Sequence, residues 1–241
     1  MNITVDNLTM KESLAYIDQL IRQRKNAYVV TPNVDHIVKL ETDKELQEIY
    51  EHADLVLTDG KPLIWISKLY GKPIKEKVSG SDLFPLLCRL SAQKGYRMFF
   101  LGAAEGVADK AVECLKRKYE GLEVCGTYSP PKGFENNPDE TDYIIESIQK
   151  LNPDILIVAL GCPKQEKFIY KYKERLNVPI SLGLGASLDF EAGHIKRAPK
   201  WMRESGLEWF FRILQDPKRL IKRYLIDDIK IVHIAWKYRH T

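Results

Sequence analysis

The sequence predicts an α/β fold: a Rossmann-like, mainly parallel sheet with helices on both faces, followed by a helical C-terminal appendage. Three observations predict it. Short apolar runs of strand length alternate with amphipathic helical stretches over residues 1–195. Most of these runs are continuously apolar, which is the pattern of strands covered on both faces. After about residue 196 no further strand-like run occurs, and helical residues continue with only Pro199, Gly206 and Pro217 as punctuation. The chain therefore divides into a core, 1–195, and an appendage, 196–241.

The elements follow in order. "MKESLAYIDQLIRQR" sets Leu14, Ile17 and Ile21 on one helical face, and "AYVVT" (27–31) is a β-branched strand. "DLVLTDG" (54–60) is a second strand, closed by Asp-Gly, and "DLFPLLCRLSAQKG" is a helix capped by Gly95. "RMFFLG" (97–102), "LEVCGTY" (122–128), "DILIVALG" (154–161) and "PISLGLG" (179–185) complete the strands. The helical patterns "EGVADKAVECLKRKYEG" and "DETDYIIESIQKLNP" fall between them. "YSPPKGFENNPDE" (128–140) has the composition of a loop and is expected to be a mobile lid. No internal repeat interrupts the alternation.

Composition narrows the function classes. The four cysteines show no C-x-x-C and no disulfide spacing, so they read as reduced thiols in a cytoplasmic setting. The N-terminal "MNITVDNLTMKESL" carries no signal-peptide pattern, and no apolar run approaches the ~20 residues that span a bilayer. The net charge of +4 is uneven: residues 196–241 carry +7 and the rest −3. All of the excess positive charge lies in the appendage, which points to a local anionic partner such as phosphate, phospholipid or nucleic acid.

Ligands of open α/β sheets bind beyond the carboxyl ends of the strands, so the residues there are the candidates. Polar and glycine residues gather at "TPNVDH", "TDG", "LGAAEG", "GTYSPP", "GCPKQE" and "GLGASLDF". In "LGAAEG", Gly102 and Ala103 open a helix in the way a phosphate-binding turn does, but the strict G-x-G-x-x-G is absent. Asp59 reads either as the carboxylate of an Asp-Gly turn or as a general base at the pocket lip that takes a proton from an attacking hydroxyl. Asp35 and His36 compete for the same role. Thr31 and Asn33 read as N-caps, as pocket hydrogen-bonding groups, or both. Gly161 and Pro163 lead into a helix whose first turn carries Gln165 toward the pocket. Cys162 reads as an inert thiol without a paired histidine. No zinc spacing occurs, so no metal is expected.

The ordered set "TPN", "TDG", "KVSGSDL", "LGAAEGVA", "LGCPKQEKF", "GLGASLDFEAGHIKRAP" and "GLEWFFRILQDPKRLIKRY" resembles the WecG/TagA/CpsF family of bacterial glycosyltransferases over almost the whole chain. The resemblance implies an inverting, metal-independent transfer from a UDP-sugar to a polyprenyl-diphosphate-linked sugar. The pathways it serves are teichoic acid, capsule and exopolysaccharide synthesis. It implies Asp59 as general base, with Thr31, Asn33 and Gln165 in the catalytic pocket and Asp189 on the nucleotide-side wall. It also implies Arg212, Arg219, Lys222 and Arg223 as a cluster that holds the acceptor diphosphate. Lys77 stands where the family often has arginine, which keeps the charge and loses the bidentate fork.

The appendage fits this expectation. Leu220, Ile221, Tyr224, Leu225, Ile229, Val232 and Trp236 form a helical stripe, with Arg223, Lys230 and Lys237 heptad-spaced on another face. Aromatic and basic residues together are the composition of a helix lying in a membrane interface, here the inner face of the cell membrane. The alternative is a helix packed on its own core or on a second copy, so a homo-oligomer stays open. Two other functions compete. An NAD(P)-dependent oxidoreductase lacks its glycine fingerprint. A nucleic-acid-binding module using the basic tail leaves the polar strand ends unexplained. The adopted reading has a UDP-sugar, a lipid-linked acceptor and a membrane surface as partners, and no nucleic acid or cofactor.

Overall fold

The computed structural model describes residues 2–239, without the side chain of Arg219. Helix α1 (Met10–Gln23) precedes β1 (Ala27–Val30), α2 (Val34–Leu40), α3 (Lys44–Glu51) and β2 (Leu55–Val56). Next come α4 (Lys61–Leu69), α5 (Gly80–Lys94), β3 (Arg97–Gly102), α6 (Val107–Lys118) and β4 (Glu123–Tyr128). Helix α7 (Pro138–Leu151), β5 (Ile155–Ala159), α8 (Lys164–Leu176), β6 (Ile180–Gly183) and α9 (Ser187–Glu191) finish the core. The appendage holds α10 (Lys200–Ser205), α11 (Glu208–Gln215), α12 (Pro217–Lys222), a π-helical turn (Arg223–Asp227) and α13 (Lys230–Lys237).

All six strands are parallel, in the order β2-β1-β6-β5-β3-β4. Successive residues of a strand face opposite sides, so Val29 joins one apolar layer while Tyr28 and Val30 join the other. The first layer collects Ile17 of α1, Phe84 and Leu87 of α5, Leu115 of α6 and Leu188 of α9. The second collects Ile37 of α2, Ile49 of α3, Ile148 of α7 and Ile169 of α8. Continuously apolar strands are thus explained by helices on both faces.

The neighbours β1 and β6 send their following helices, α2 and α9, to opposite faces of the sheet. A crevice lies beyond their carboxyl ends, the side on which open α/β sheets bind ligands.

Three local expectations are corrected. The segment 128–140 is anchored rather than lid-like: Phe134 is buried against Phe168, Tyr128 Oη donates to Glu140 at 2.5 Å, and Lys164 pairs with Glu135. It also lies away from the crevice. The appendage stripe does not present one face, because the π-helical turn shifts its register. Leu220 turns inward, and Ile234, outside the stripe, is buried, while Ile221, Leu225, Ile229, Val232 and Trp236 stay exposed. The heptad cations are engaged as well: Arg223 reaches Asp35 at 3.7 Å, Lys237 reaches Glu41 at 2.8 Å and Lys230 reaches Asp227 at 3.3 Å. The Lys237–Glu41 pair and Tyr70 Oη, which donates to the Ala235 carbonyl at 2.5 Å, hold α13 against the core. No helix among the described residues is long and apolar enough to cross a membrane.

Candidate active site

A cavity of about 1520 Å³ lies beyond the carboxyl ends of β2, β1, β6 and β5 and is roofed by the appendage. Single small-molecule sites run roughly 300–1,000 Å³, so this one has room for two ligand parts side by side. Thr31, Asn33, Asp59, Lys77, Gly161, Gln165, Asp189, Arg212 and Arg223 all line it. The structure therefore brings together residues that lie far apart in sequence. Gly102, Ala103 and Pro163 do not line it, and Lys222 is exposed on the outer surface. Arg219 lies outside the described side chains. The glycine of "LGAAEG" has a packing reason instead. At φ +106°, a Cβ on Gly102 would stand 2.5 Å from the Ala159 carbonyl oxygen. The Ala103 N–H is already donated to that oxygen at 2.9 Å, so it is not offered to a phosphate.

Asp59 is held by the backbone. Its N–H donates to the Pro32 carbonyl at 2.9 Å, and its carboxyl has no hydrogen-bond partner among the described residues. Burial raises its pKa to about 6; Lys77 and His36 pull it down, and Glu208 and Asp82 push it up. A carboxyl group poised near neutrality at a cavity wall has the property a general base needs.

Cations converge on the cavity from two directions. Near Asp59, Lys77 Nζ lies 3.1 Å from Asp82, Arg203 Nη1 lies 3.2 Å from it, and Arg197 pairs with the same carboxylate. Burial opposes the Asp82 charge, but the Ser79 hydroxyl, Lys77 and Arg197 outweigh it and lower its pKa to about 2. Three cations on one carboxylate leave a net positive group at the rim, with Lys77 and Arg203 exposed to the cavity. Sequence reasoning missed Arg197, Arg203 and Asp82. The last was visible as the first-turn acid of "SGSD", and the two arginines follow "GHIK" in a stretch without periodicity. On the appendage side, Arg212 lies over the Phe190 ring and Arg223 reaches Asp35 and, at 3.4 Å, Asn33 Oδ1. Trp209 and Phe210 are exposed, at 38% and 46%.

Beneath the cavity floor runs a hydrogen-bonded chain. Gln165 is 3% exposed. Its Oε1 accepts from Gly161 N at 3.2 Å and Gly185 N at 3.0 Å, clamping the ends of β5 and β6 together. Gly183 leaves the room, since a Cβ there would meet Gln165 Nε2 at 3.0 Å. Gln165 Nε2 donates to Glu166 Oε1 at 2.8 Å, and His36 Nε2 lies 3.4 Å from the same oxygen. His36 is thus a buried partner of Glu166 rather than a base at the lip. Burial works against its charged ring, but the sulfur of Cys162 and the carboxylate of Glu166 push its pKa up to about 10. Cys162 does have a histidine beside it, which the sequence hid. Asp35, His36 and Cys162 place three ligand-type atoms within 4.8 Å of one another. Lys39 at 2.7 Å and Arg223 already occupy Asp35, so this donor set suits a charge network better than a metal ion.

A doubly wound α/β protein with a basic two-part cleft and a poised carboxyl group at its strand ends has the form of a group-transfer enzyme. The chain belongs to the glycosyl transferase WecG/TagA/CpsF family, whose model matches residues 1–241. Three relatives share the description N-acetylglucosaminyldiphosphoundecaprenol N-acetyl-beta-D-mannosaminyltransferase. The protein from Bacillus spizizenii is 36% identical over 85% of this chain and 76% of its own length. That from Bacillus subtilis is 30% identical over 90% and 83%, and that from Staphylococcus aureus is 26% identical over 91% and 85%.

Proposed function

We propose that the protein moves an N-acetylmannosamine-type sugar from a UDP-sugar to a polyprenyl-diphosphate-linked sugar at the inner membrane surface, with inversion at the anomeric carbon. The observation that carries this reading is Asp59: a carboxyl group with a pKa near neutrality, set in a cavity with positive groups on two sides. The acceptor hydroxyl oxygen attacks the anomeric carbon while Asp59 takes its proton, and the carbon–oxygen bond to UDP breaks. The developing charge on UDP is met by cations already in place, with Lys77, Arg197 and Arg203 on the donor side. Arg212 and Arg223 hold the acceptor diphosphate. Two cation groups suit two diphosphates, one per substrate.

The membrane role rests on the exposed Ile221, Leu225, Ile229, Val232 and Trp236, which lie on the same appendage that roofs the cavity. The names of the relatives favour N-acetylglucosaminyl-diphospho-lipid as acceptor and N-acetylmannosamine as the transferred sugar. The test is a panel of UDP-sugars incubated with a polyprenyl-diphosphate-linked N-acetylglucosamine, with products read by mass spectrometry. The expected result is a disaccharide lipid with one donor strongly preferred. Absence of product with every donor, beside tight binding of NAD(P), would replace this reading with an oxidoreductase.

A further inference from the structure

Asn33 is fixed in an unusual way. Its side-chain oxygen accepts from Asp35 N at 3.0 Å and His36 N at 3.4 Å, the N-cap bonds of α2. The same oxygen takes His36 Nδ1 at 2.8 Å and Arg223 Nη2 at 3.4 Å. Four donors converge on one oxygen, so the amide cannot be turned over: its N–H2 would then face four donors. The Asn33 N–H is also placed to donate to His36 Nδ1 at 3.3 Å, a bond that needs a bare Nδ1. The 2.8 Å contact needs a proton on Nδ1 instead, and as the shorter of the two it is the one adopted below. With Nε2 directed at Glu166, both ring nitrogens then donate. The Asn33 N–H2 has no partner among the described residues, and Asn33 lines the cavity.

Glu166 is equally distinctive. It is 1% exposed, and its Oε2 is buried with no hydrogen-bond partner among the described residues. A charge in such a place is costly unless paired, and its partner is the His36 ring. Around that ring stand Cys162 from the loop before α8, Tyr50 from α3, Asp35 from the first turn of its own helix α2, and Asp59 from the loop after β2.

We propose that His36 and Glu166 are positioning residues: their buried imidazolium–carboxylate pair holds the Asn33 oxygen inward, so that the Asn33 N–H2 donates to an oxygen of the bound substrate. Gln165 extends the device, since its Nε2 holds Glu166 while its oxygen clamps the β5 and β6 ends. One buried chain therefore registers the acceptor-side arginine against the loops of the opposite wall. This rests on the cavity being the glycosyl-transfer site.

Two experiments separate the proposal from that reading. The first needs no activity: nitrogen NMR of the full chain labelled with 15N-histidine, followed to pH 8.5. One of the five histidines is expected to keep both ring nitrogens protonated there, and its signals should vanish in His36→Gln. A His36 ring bare at Nδ1 at that pH overturns the proposal even if transfer is confirmed. The second is kinetic. Asn33→Asp keeps every acceptor bond and loses the donor, and its kcat should fall about 100-fold with KM changed less than about threefold. Glu166→Gln should lower kcat about tenfold and add an alkaline limb near neutrality, where His36 would then lose its proton. Wild-type kcat in Asn33→Asp, or a Glu166→Gln profile parallel to wild type, contradicts it. If Glu166→Gln does not fold, the wild-type NMR result stands as the deciding observation.

Discussion

The two halves of the sheet carry similar sequence and do different things. Beyond β3, "LGAAEG" has the glycines and the strand-to-helix turn of a phosphate loop. Its Gly102 is explained by a 2.5 Å clash with Ala159, and its Ala103 N–H is used in the sheet. Beyond β1, β2, β5 and β6, less conspicuous residues build the cavity: a turn aspartate, an N-cap asparagine and a buried glutamine. The difference does not lie in where helices part, since those after β6 and β5, β5 and β3, and β3 and β4 also take opposite faces. It lies in what fills the strand ends, and among the described residues the large cavity lies beyond β2, β1, β6 and β5. A turn that looks like a ligand loop is one only if the chain around it leaves a gap.

This contrast is broken or sharpened most strongly at Asp59. Asp59→Asn is expected to lower kcat at least about 1,000-fold while UDP still binds, as calorimetry would show. The same change should stabilise the fold. The folded pKa of about 6 lies above the 3.8 of the free group, so the charged form is disfavoured in the folded state. That cost is complete above pH 6 and gone below pH 3.8. A gain of about 1–3 kcal/mol at pH 7 should therefore fall steadily below pH 6 and vanish by about pH 3 in denaturant titrations. Loss of stability at pH 7 would show that Asp59 is a structural group, like the β3 turn.

Arg223→Ala comes next. It removes the contacts to Asp35 and Asn33 from the appendage and should raise the acceptor KM about 10–100-fold. An unchanged acceptor KM would detach the appendage from the site. Gly102→Ala probes the other half. Strain at φ +106° and the Ala159 contact should cost about 2–4 kcal/mol in thermal or denaturant unfolding. UDP affinity should not move in the folded fraction. A selective loss of UDP binding would restore "LGAAEG" as a ligand loop. The smallest effect belongs to the exposed Lys164–Glu135 pair beside the 128–140 segment: Lys164→Ala should change stability by less than about 1 kcal/mol and leave turnover alone.

Much of this was readable beforehand. Apolar runs such as "DILIVALG" state that a strand is covered on both faces, and strand ends locate the cavity, because both follow from local pattern. Thr31, Asn33, Asp59 and Gln165 were reachable on that basis together with the family resemblance. Arg197, Arg203 and the His36–Glu166 pair were not, since each depends on contacts between segments more than 100 residues apart. The appendage shows the same limit. Its helical stripe is legible, but the π-helical turn that shifts the register after Lys222 has no marker in "RYLID". Gly102 was legible as a constrained position and misleading as to why.

The most direct test is the pH dependence of kcat/KM for sugar transfer between pH 4.5 and 8.5, which reports groups of the unliganded protein. With Asp59 as the base, kcat/KM rises about tenfold per pH unit up to pH 6 and levels above it. A kcat/KM that stays flat down to pH 4.5 would contradict the account, because below pH 6 the carboxyl group is mostly protonated and transfer would continue regardless.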